Sequence, residues 1–369
     1  MTAPPAPRWS RRRFLQVAGL AAAGLALARR CPAAAAGTPL AEARRELRAF
    51  VTARALIVDD PWVLMHAVLP LGRDARYRDQ PVLDYVMRTY LEAETRGDTR
   101  YPAFPLGVEA HPNHFLEIMY AVDVPPDRPF ATPLGTTTRA DLLAGAQALF
   151  APTMPGSELP WTVSVLTAEL PPDADRFENA AGRAFTVRAL VEAAARAAEQ
   201  GYGETLAAMA GEKAYGRSGL QGFPCNGTHA VHCLVEALAH GYRAHDLAAR
   251  TRRLLAASTY RLEHEPALID AHLGTAASPF GVLNADAAKL QLIGHTLENL
   301  AAARRQGLFT PDADDARRVA AAERELAAIV ARLARVHDLD ALARQVPRAY
   351  AVLLGDACHA LHALDVADV

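Results

Sequence analysis

Apolar residues recur at three- and four-residue intervals along almost the whole of this chain, and that period dictates helices. Val187, Leu190, Val191 and Ala194 fall on one helix face, behind Thr186, whose hydroxyl suits an N-cap. Thr138-x-x-Asp141 has the form of a capping box ahead of Leu142, Leu143, Ala146 and Leu149. Pro311, Asp312, Asp314 and Asp315 open a longer helix, the acids suiting its positive N-terminal end. That helix carries Val319, Leu326, Ile329, Val330 and Leu333 as its buried stripe. Further helical patterns cover about 41–57, 61–69, 82–95, 113–121, 160–169, 203–212, 227–241, 246–262, 284–304 and 348–364. Alternating strand patterns are nearly missing. The fold class this predicts is all-α.

The connections are Pro-rich rather than Gly/Ser-rich, at 101–107, 124–133, 151–160, 219–224 and 266–281, so no linker divides the chain. With 51% hydrophobic and 22% charged residues it can bury a large core as one domain. A dozen or so helices in hairpins can close as an open solenoid or as a ring. A solenoid repeats with a fixed period of roughly 30–50 residues, and none is visible. The expectation is a ring of helical hairpins, an α/α-toroid, with long irregular loops on one face.

Residues 1–36 stand apart. Ser10-Arg11-Arg12-Arg13-Phe14-Leu15-Gln16 has the form of a twin-arginine export motif, and Val17–Ala28 is a short apolar run. That run falls short of the roughly 20 residues needed to span a bilayer, and the small residues at Ala33–Ala36 offer a cleavage site. The expected domains are a signal peptide over 1–36 and the helical body over 37–369, delivered by the twin-arginine translocase to the periplasm or outside. Removing six arginines from the 39 basic residues leaves 33 against 41 acidic ones, a formal charge of −8. Such a surface argues against nucleic acid as a partner, and no second apolar stretch is long enough for a membrane span in the mature chain. Twin-arginine substrates cross the membrane folded, often with a metal already loaded, which raises the prior for one here. Cys225, Cys233 and Cys358 remain, an odd number that leaves at least one thiol free within a monomer.

Residues able to carry chemistry are clustered. Cys225, His229, His232, Cys233 and Glu236 share one helix face if the helix reaches back to Cys225. Thiolate and imidazole suit a zinc-type divalent metal, for which Cys225, His229 and His232 are the expected ligands. Alternatively, Cys225 is a nucleophile just ahead of a helix N-terminus, whose dipole lowers the thiol pKa, with His229 as its base. In His111-Pro112-Asn113-His114, Pro112 suits the first helical position, with His111 as the N-cap and both rings facing one opening. Gln291, His295 and Asn299 form a polar stripe that is solvent-facing by default but faces the cavity if its helix lines a ring. Asp270 and His272 are rim residues on the same argument. Cys358, His359 and His362, near the chain end among Ala and Leu, read as core or surface. Pro266 interrupts the helix that His264-Glu265 would need to form a zinc-protease motif. No Walker loop, dinucleotide fingerprint or haem motif is present.

Phe223-Pro-Cys225-Asn-Gly-Thr-His229, with His111-Pro-Asn-His114-Phe-Leu, Glu158-Leu-Pro-Trp161-Thr and Gly294-His295, resembles a group of uncharacterised exported bacterial proteins that carry C-G-G-T-H ahead of a helix. The likeness covers about residues 100–335, and Asn226 stands where that pattern has its first glycine. More distantly, the helical outline resembles the α/α-toroids: terpene cyclases, prenyltransferases, lanthipeptide cyclases and six-hairpin glycosidases and lyases. In those, inner helices line a central pocket; some hold zinc with Cys and His, others use acid/base pairs on sugars.

These readings lead to one expected pocket. Cys225, His229, His295 and His111 are its catalytic candidates, and Asn113, His114, Trp161, Thr228 and Gln291 its ligand contacts, Trp161 as a sugar-stacking platform. The expected activity, if the chain is an enzyme, is that of a hydrolase or lyase on a small-molecule or glycan ligand, an envelope or carbohydrate-type substrate. The competing class is a non-catalytic periplasmic binding protein or metal carrier.

Overall fold

A computed structural model describes residues 38–216, 220, 223–274 and 280–367; the expected export segment 1–36 lies outside them. Pro39–Val369 group as one unit and are described by themselves. The chain begins with α1 (Pro39–Arg54), α2 (Pro61–Leu71), the ladder β1–β2 (Arg76–Tyr77, Gln80–Pro81) and α3 (Val82–Tyr90). Next come β3–β4 (Glu92–Arg96, Thr99–Ala103), α4 (Leu106–Glu109), α5 (His114–Ala121), β5–β6 (Phe130–Thr132, Gly135–Thr137) and α6 (Arg139–Leu149). Then follow α7 (Leu159–Glu169), β7–β8 (Arg176–Glu178, Ala184–Thr186), α8 (Val187–Met209), α9 (Thr228–Ala239) and α10 (Leu247–Ile269). The last four helices are α11 (Gly281–Arg305), α12 (Ala313–Arg335), α13 (Leu339–Gln345) and α14 (Pro347–Val366). The fold is all-α, with four small antiparallel ladders on the connections among the described residues.

Several helix starts follow the sequence chemistry. Thr138 and Asp141 form both halves of the capping box on α6, Thr186 accepts from the Ala189 N–H on α8, and Asp312 accepts from the Asp315 N–H on α12. Elsewhere the expectations need correcting. The pattern at 82–95 ends at Tyr90, because Glu92–Arg96 pairs with Thr99–Ala103 as a hairpin. That strand, Glu-Ala-Glu-Thr-Arg, is polar on both faces and mostly exposed, so no alternation marks it. The stretch at 203–212 is no separate helix but the end of α8. Pro266 does not interrupt α10, which runs through it into a π-helical turn over Asp270–Gly274 packed on α11. Asn113, not His111, is the N-cap of α5, in the left-handed conformation.

Two classes of helix are distinguished by burial. On α2 every residue from Trp62 to Pro70 is buried, and on α7 every residue from Leu159 to Thr167. Long α12, by contrast, buries one stripe, Val319, Ala322, Leu326, Ile329, Val330 and Leu333. The buried class packs in succession: α2 on α5, α5 on α7, α7 on α9, α9 on α11, α11 on α14, and α14 back on α2. Against this cycle pack α1, α3, α6, α8, α10 and α12.

Candidate functional site

Each helix of the cycle sends one aromatic ring to the same place. His66 comes from α2, His114 from α5, Trp161 from α7, His229 from α9, His295 from α11 and His359 from α14, all buried. Ring centroids lie 4.7 Å apart for His66–His114, 5.2 Å for His66–His359, 3.9 Å for His295–His359 and 4.9 Å for His229–His295. Trp161 sits 4.9 Å from His229 and stacks flat on His111 at 4.0 Å. Small residues make the convergence possible. A Cβ on Gly294 would lie 2.9 Å from the Ala360 Cβ and 3.0 Å from its Cα, so α11 and α14 meet backbone to backbone beside His295 and His359. A Cβ on Gly355 would fall 2.4 Å from the Trp62 ring, which seats α14 against α2.

Cys225 reaches this cluster from a turn, not from a helix. α9 starts at Thr228, and Cys225 (φ 47°), Asn226 (φ 52°) and Gly227 (φ 77°) are all left-handed, a costly conformation for Cys225. Side chains hold the turn. Thr228 Oγ1 donates to the Cys225 carbonyl at 2.8 Å, and Asn226 Nδ2 to Gln291 Oε1 at 2.8 Å. Gln291 in turn donates to Asp356 Oδ1 at 3.2 Å. The donor atoms of Cys225, His229 and His295 all lie within 4.8 Å of one another. A second trio, His295, Glu298 and His359, meets the same distance. Within it, however, His359 Nδ1 donates to Glu298 Oε2 at 2.9 Å, so those two are hydrogen-bonded partners rather than co-ligands.

Hydrogen bonds settle the tautomers. Nδ1–H of His66 donates to the Trp62 carbonyl at 2.6 Å and that of His114 to the Glu109 carbonyl at 3.4 Å. Nε2 then carries the lone pair, and Nε2 of His114, His295 and His359 is buried without a hydrogen-bond partner. Burial keeps His66, His114, His229 and His359 neutral by pulling them below their ordinary value, and takes His295 down to about 4. Burial also opposes the charge of Glu298, but His359 and His362 outweigh it and hold the carboxylate well below its usual range. The Cys225 thiol is pushed well above its usual value by burial, then by Asp356 and Glu298. The expected lowering by a helix dipole is therefore absent, and the metal-free thiol is no ready nucleophile.

Beside the cluster lies a cavity of about 640 Å³. Leu69, Tyr120, Glu169, His240, Arg305 and Val366 line it, from the last turns or just beyond the ends of all six helices in the cycle. His229, Glu298 and His359 line it from the cluster side. His232 and Glu117 face each other across its wall, Nε2 to Oε1 at 3.7 Å. His232 Nδ1 donates to Asn299 Oδ1 at 3.1 Å, and Asn299 is fixed by its own bond to the Thr228 carbonyl at 2.8 Å. Burial raises Glu117 to about 7; burial lowers His232, but Glu236 and Glu117 carry it above its ordinary value.

Of the residues singled out in the sequence, Cys225, His229 and His295 come together, with His114 and His111 adjoining through Trp161. His232 joins neither trio and faces the cavity instead. Trp161 is 1% exposed, so it packs the cluster and offers no open stacking platform. Asn113 donates to Thr162 Oγ1 at 2.8 Å, and Thr228 and Gln291 hold the Cys225 turn, so all three position rather than present. Asp270 and His272 are exposed and outside the cluster. The polar stripe of His295 and Asn299 is buried, not solvent-facing. Sequence reasoning passed over His66, Glu298 and Asp356 and set His359 and His362 aside; the one available signal was ionisable residues on otherwise apolar helices. No family model, curated protein or solved structure matches this chain.

Proposed function

We propose that the chain is an exported α/α-toroid holding a zinc-type divalent ion on Cys225, His229 and His295, and that it is a hydrolase or lyase acting on a small-molecule or glycan ligand in the adjoining cavity. The observation that carries this is the convergence, within 4.8 Å, of one sulfur and two imidazole donors in the buried cluster, where His295 Nε2 makes no hydrogen bond and lies 3.5 Å from Asp356 Oδ1. The closed succession of six packed helices supports the ring. The Arg11-Arg12 motif with its apolar run supports export through the twin-arginine translocase, which would carry the body across folded and already loaded.

A divalent ion held by Cys225, His229 and His295 would supply Lewis acidity beside the cavity. The chain's residues supply the rest. Neutral His229 and His295 present lone pairs at no cost of deprotonation, while Cys225 must lose its proton on binding, so affinity rises with pH. Anionic Glu298 fixes His359 beside His295 and places a negative charge next to the donors. His232, carried above its ordinary value by Glu236 and Glu117, and Glu117, raised to about 7 by burial, face each other on the cavity wall and suit the acid and base of a bond-breaking step.

The test is elemental analysis of the full chain purified after cytoplasmic expression, with Cys225→Ala and His229→Ala alongside. The expected result is close to one zinc-type ion per wild-type chain and loss of most of it in both variants without unfolding. Metal-free wild-type protein that also takes up no added Zn²⁺ overturns the reading.

A further inference from the structure

Arg261 is 1% exposed on α10, a helix outside the six-membered cycle, and is among the largest fully buried side chains. Burying a guanidinium is costly unless it is paired. Glu265, one turn on, pairs with it bidentately, Nε to Oε1 at 2.7 Å and Nη2 to Oε2 at 3.0 Å. Tyr215 also donates to Glu265, and the Tyr202 hydroxyl lies 3.1 Å from Arg261 Nη1. The free side of this bolt points at one backbone atom: Nη1 donates to the Asn226 carbonyl at 2.9 Å. That carbonyl lies in the middle of the left-handed Cys225-Asn226-Gly227 turn, a conformation that Asn226 and Gly227 tolerate but that is unfavourable for Cys225. Two glycines clear space for the same turn. Added Cβ atoms on Gly201 and Gly227 would strike Leu220 at 2.8 and 2.5 Å.

We infer that Arg261, braced by Glu265, is the positioning residue that clamps the Asn226 carbonyl and so aims the Cys225 sulfur at His229 and His295. The inference rests on the metal-site reading for its purpose but not for its geometry, and the two are tested separately. Lys at this position keeps the charge but cannot hold Glu265 bidentately and reach the Asn226 carbonyl together.

The first measurement needs no metal. Chelator-treated wild type and Arg261→Lys are labelled with iodoacetamide under native conditions and each cysteine is followed by peptide mass spectrometry. The expected result is at least tenfold faster labelling at Cys225 in the variant, with Cys233 and Cys358 unchanged. Equal Cys225 rates overturn the inference. Glu265→Gln, which leaves the guanidinium in place but loosens its brace, is expected to fall between the two. Should Arg261→Lys fail to fold, this variant carries the test, and a wild-type rate for it is the overturning result.

The second measurement titrates Co²⁺ into metal-free protein. Wild type is expected to show a near-ultraviolet thiolate-to-cobalt band that Cys225→Ser removes, and Arg261→Lys to bind at least tenfold more weakly with a diminished band. An unchanged band and affinity in Arg261→Lys count against the clamp. Absence of the band in wild type sinks the metal site while leaving the labelling result to decide the clamp.

Discussion

His359 Nδ1 donates to Glu298 Oε2 at 2.9 Å, in an interior where both side chains are almost fully buried. His362 Nδ1 takes the other oxygen at 2.6 Å, so one carboxylate orients two imidazoles and leaves His359 Nε2 facing the cluster without a partner. This arrangement, a carboxylate behind a histidine whose far nitrogen is bare, orients imidazoles around metal ions. It also makes Glu298 the electrostatic anchor of α11 on α14.

Glu298→Gln tests that anchor. An amide keeps the shape but offers one acceptor to two donors, so a buried N–H is left facing an N–H. The expected cost is about 2–4 kcal/mol in denaturant unfolding. Nitrogen-15 imidazole spectra should at the same time show His359 or His362 leaving the Nδ1–H tautomer. Unchanged stability together with unchanged tautomers would remove Glu298 from its role.

Acid and base act on this core in opposite ways. Five imidazoles (His66, His114, His229, His295 and His359) are held below their ordinary value by burial, so as pH falls below about 6.5 the unfolded chain takes up protons that the folded one refuses. Stability is therefore lost on the acid side, levelling for His295 only near its folded value of about 4. Burial raises Glu109 to about 8 and Glu117 and Asp356 to about 7, so these favour the fold below their unfolded values near 4 and lose that contribution as pH rises to their folded ones. Below about pH 6.5 the two sets act with opposite signs and the imidazoles are the more numerous; above it the three carboxyls and His232, whose folded value is raised, lose their contribution as pH rises. Urea unfolding of metal-free protein should thus give a maximum near pH 6.5 with stability falling away on both sides. A flat profile from pH 5 to 8 contradicts the assigned protonation states.

Gly294→Ala probes the closeness of α11 and α14. The added methyl meets Ala360 backbone at 3.0–3.1 Å, which cannot swing aside as a side chain can. A destabilisation of about 1–3 kcal/mol is expected, with weaker Zn²⁺ uptake because His295 is displaced. A change below about 0.5 kcal/mol would mean that the helices have room to spare.

Thr138→Ala serves as the distant control. It removes the side-chain half of the α6 capping box, the Thr138 hydroxyl that accepts from the Asp141 N–H, and should cost about 1 kcal/mol while leaving Zn²⁺ binding at its wild-type value. A loss of binding here would show that site readouts merely follow global stability.

What the sequence by itself determined was local. Helical period, the caps at Thr138 and Thr186 and the all-α class rest on interactions within a few residues, and these are legible wherever they occur. Cys225, His229 and His295 were legible as chemistry because their residue types are conspicuous beside a turn or within an apolar helix. The ladders were not, being two to five residues long, as in polar Glu92–Arg96. Tertiary structure alone decided the site. His66 and His359 lie near opposite ends of the chain and touch only because α14 packs back on α2. His359 looked like a core residue because its partner Glu298 is on another helix. Arg261 gave no signal, since its target is a backbone carbonyl on a distant turn, and no side-chain pattern reports a side chain's backbone partner elsewhere in the fold. Periodicity fixes which face of each helix is buried; only the closure of the helices on one another decides which buried groups meet.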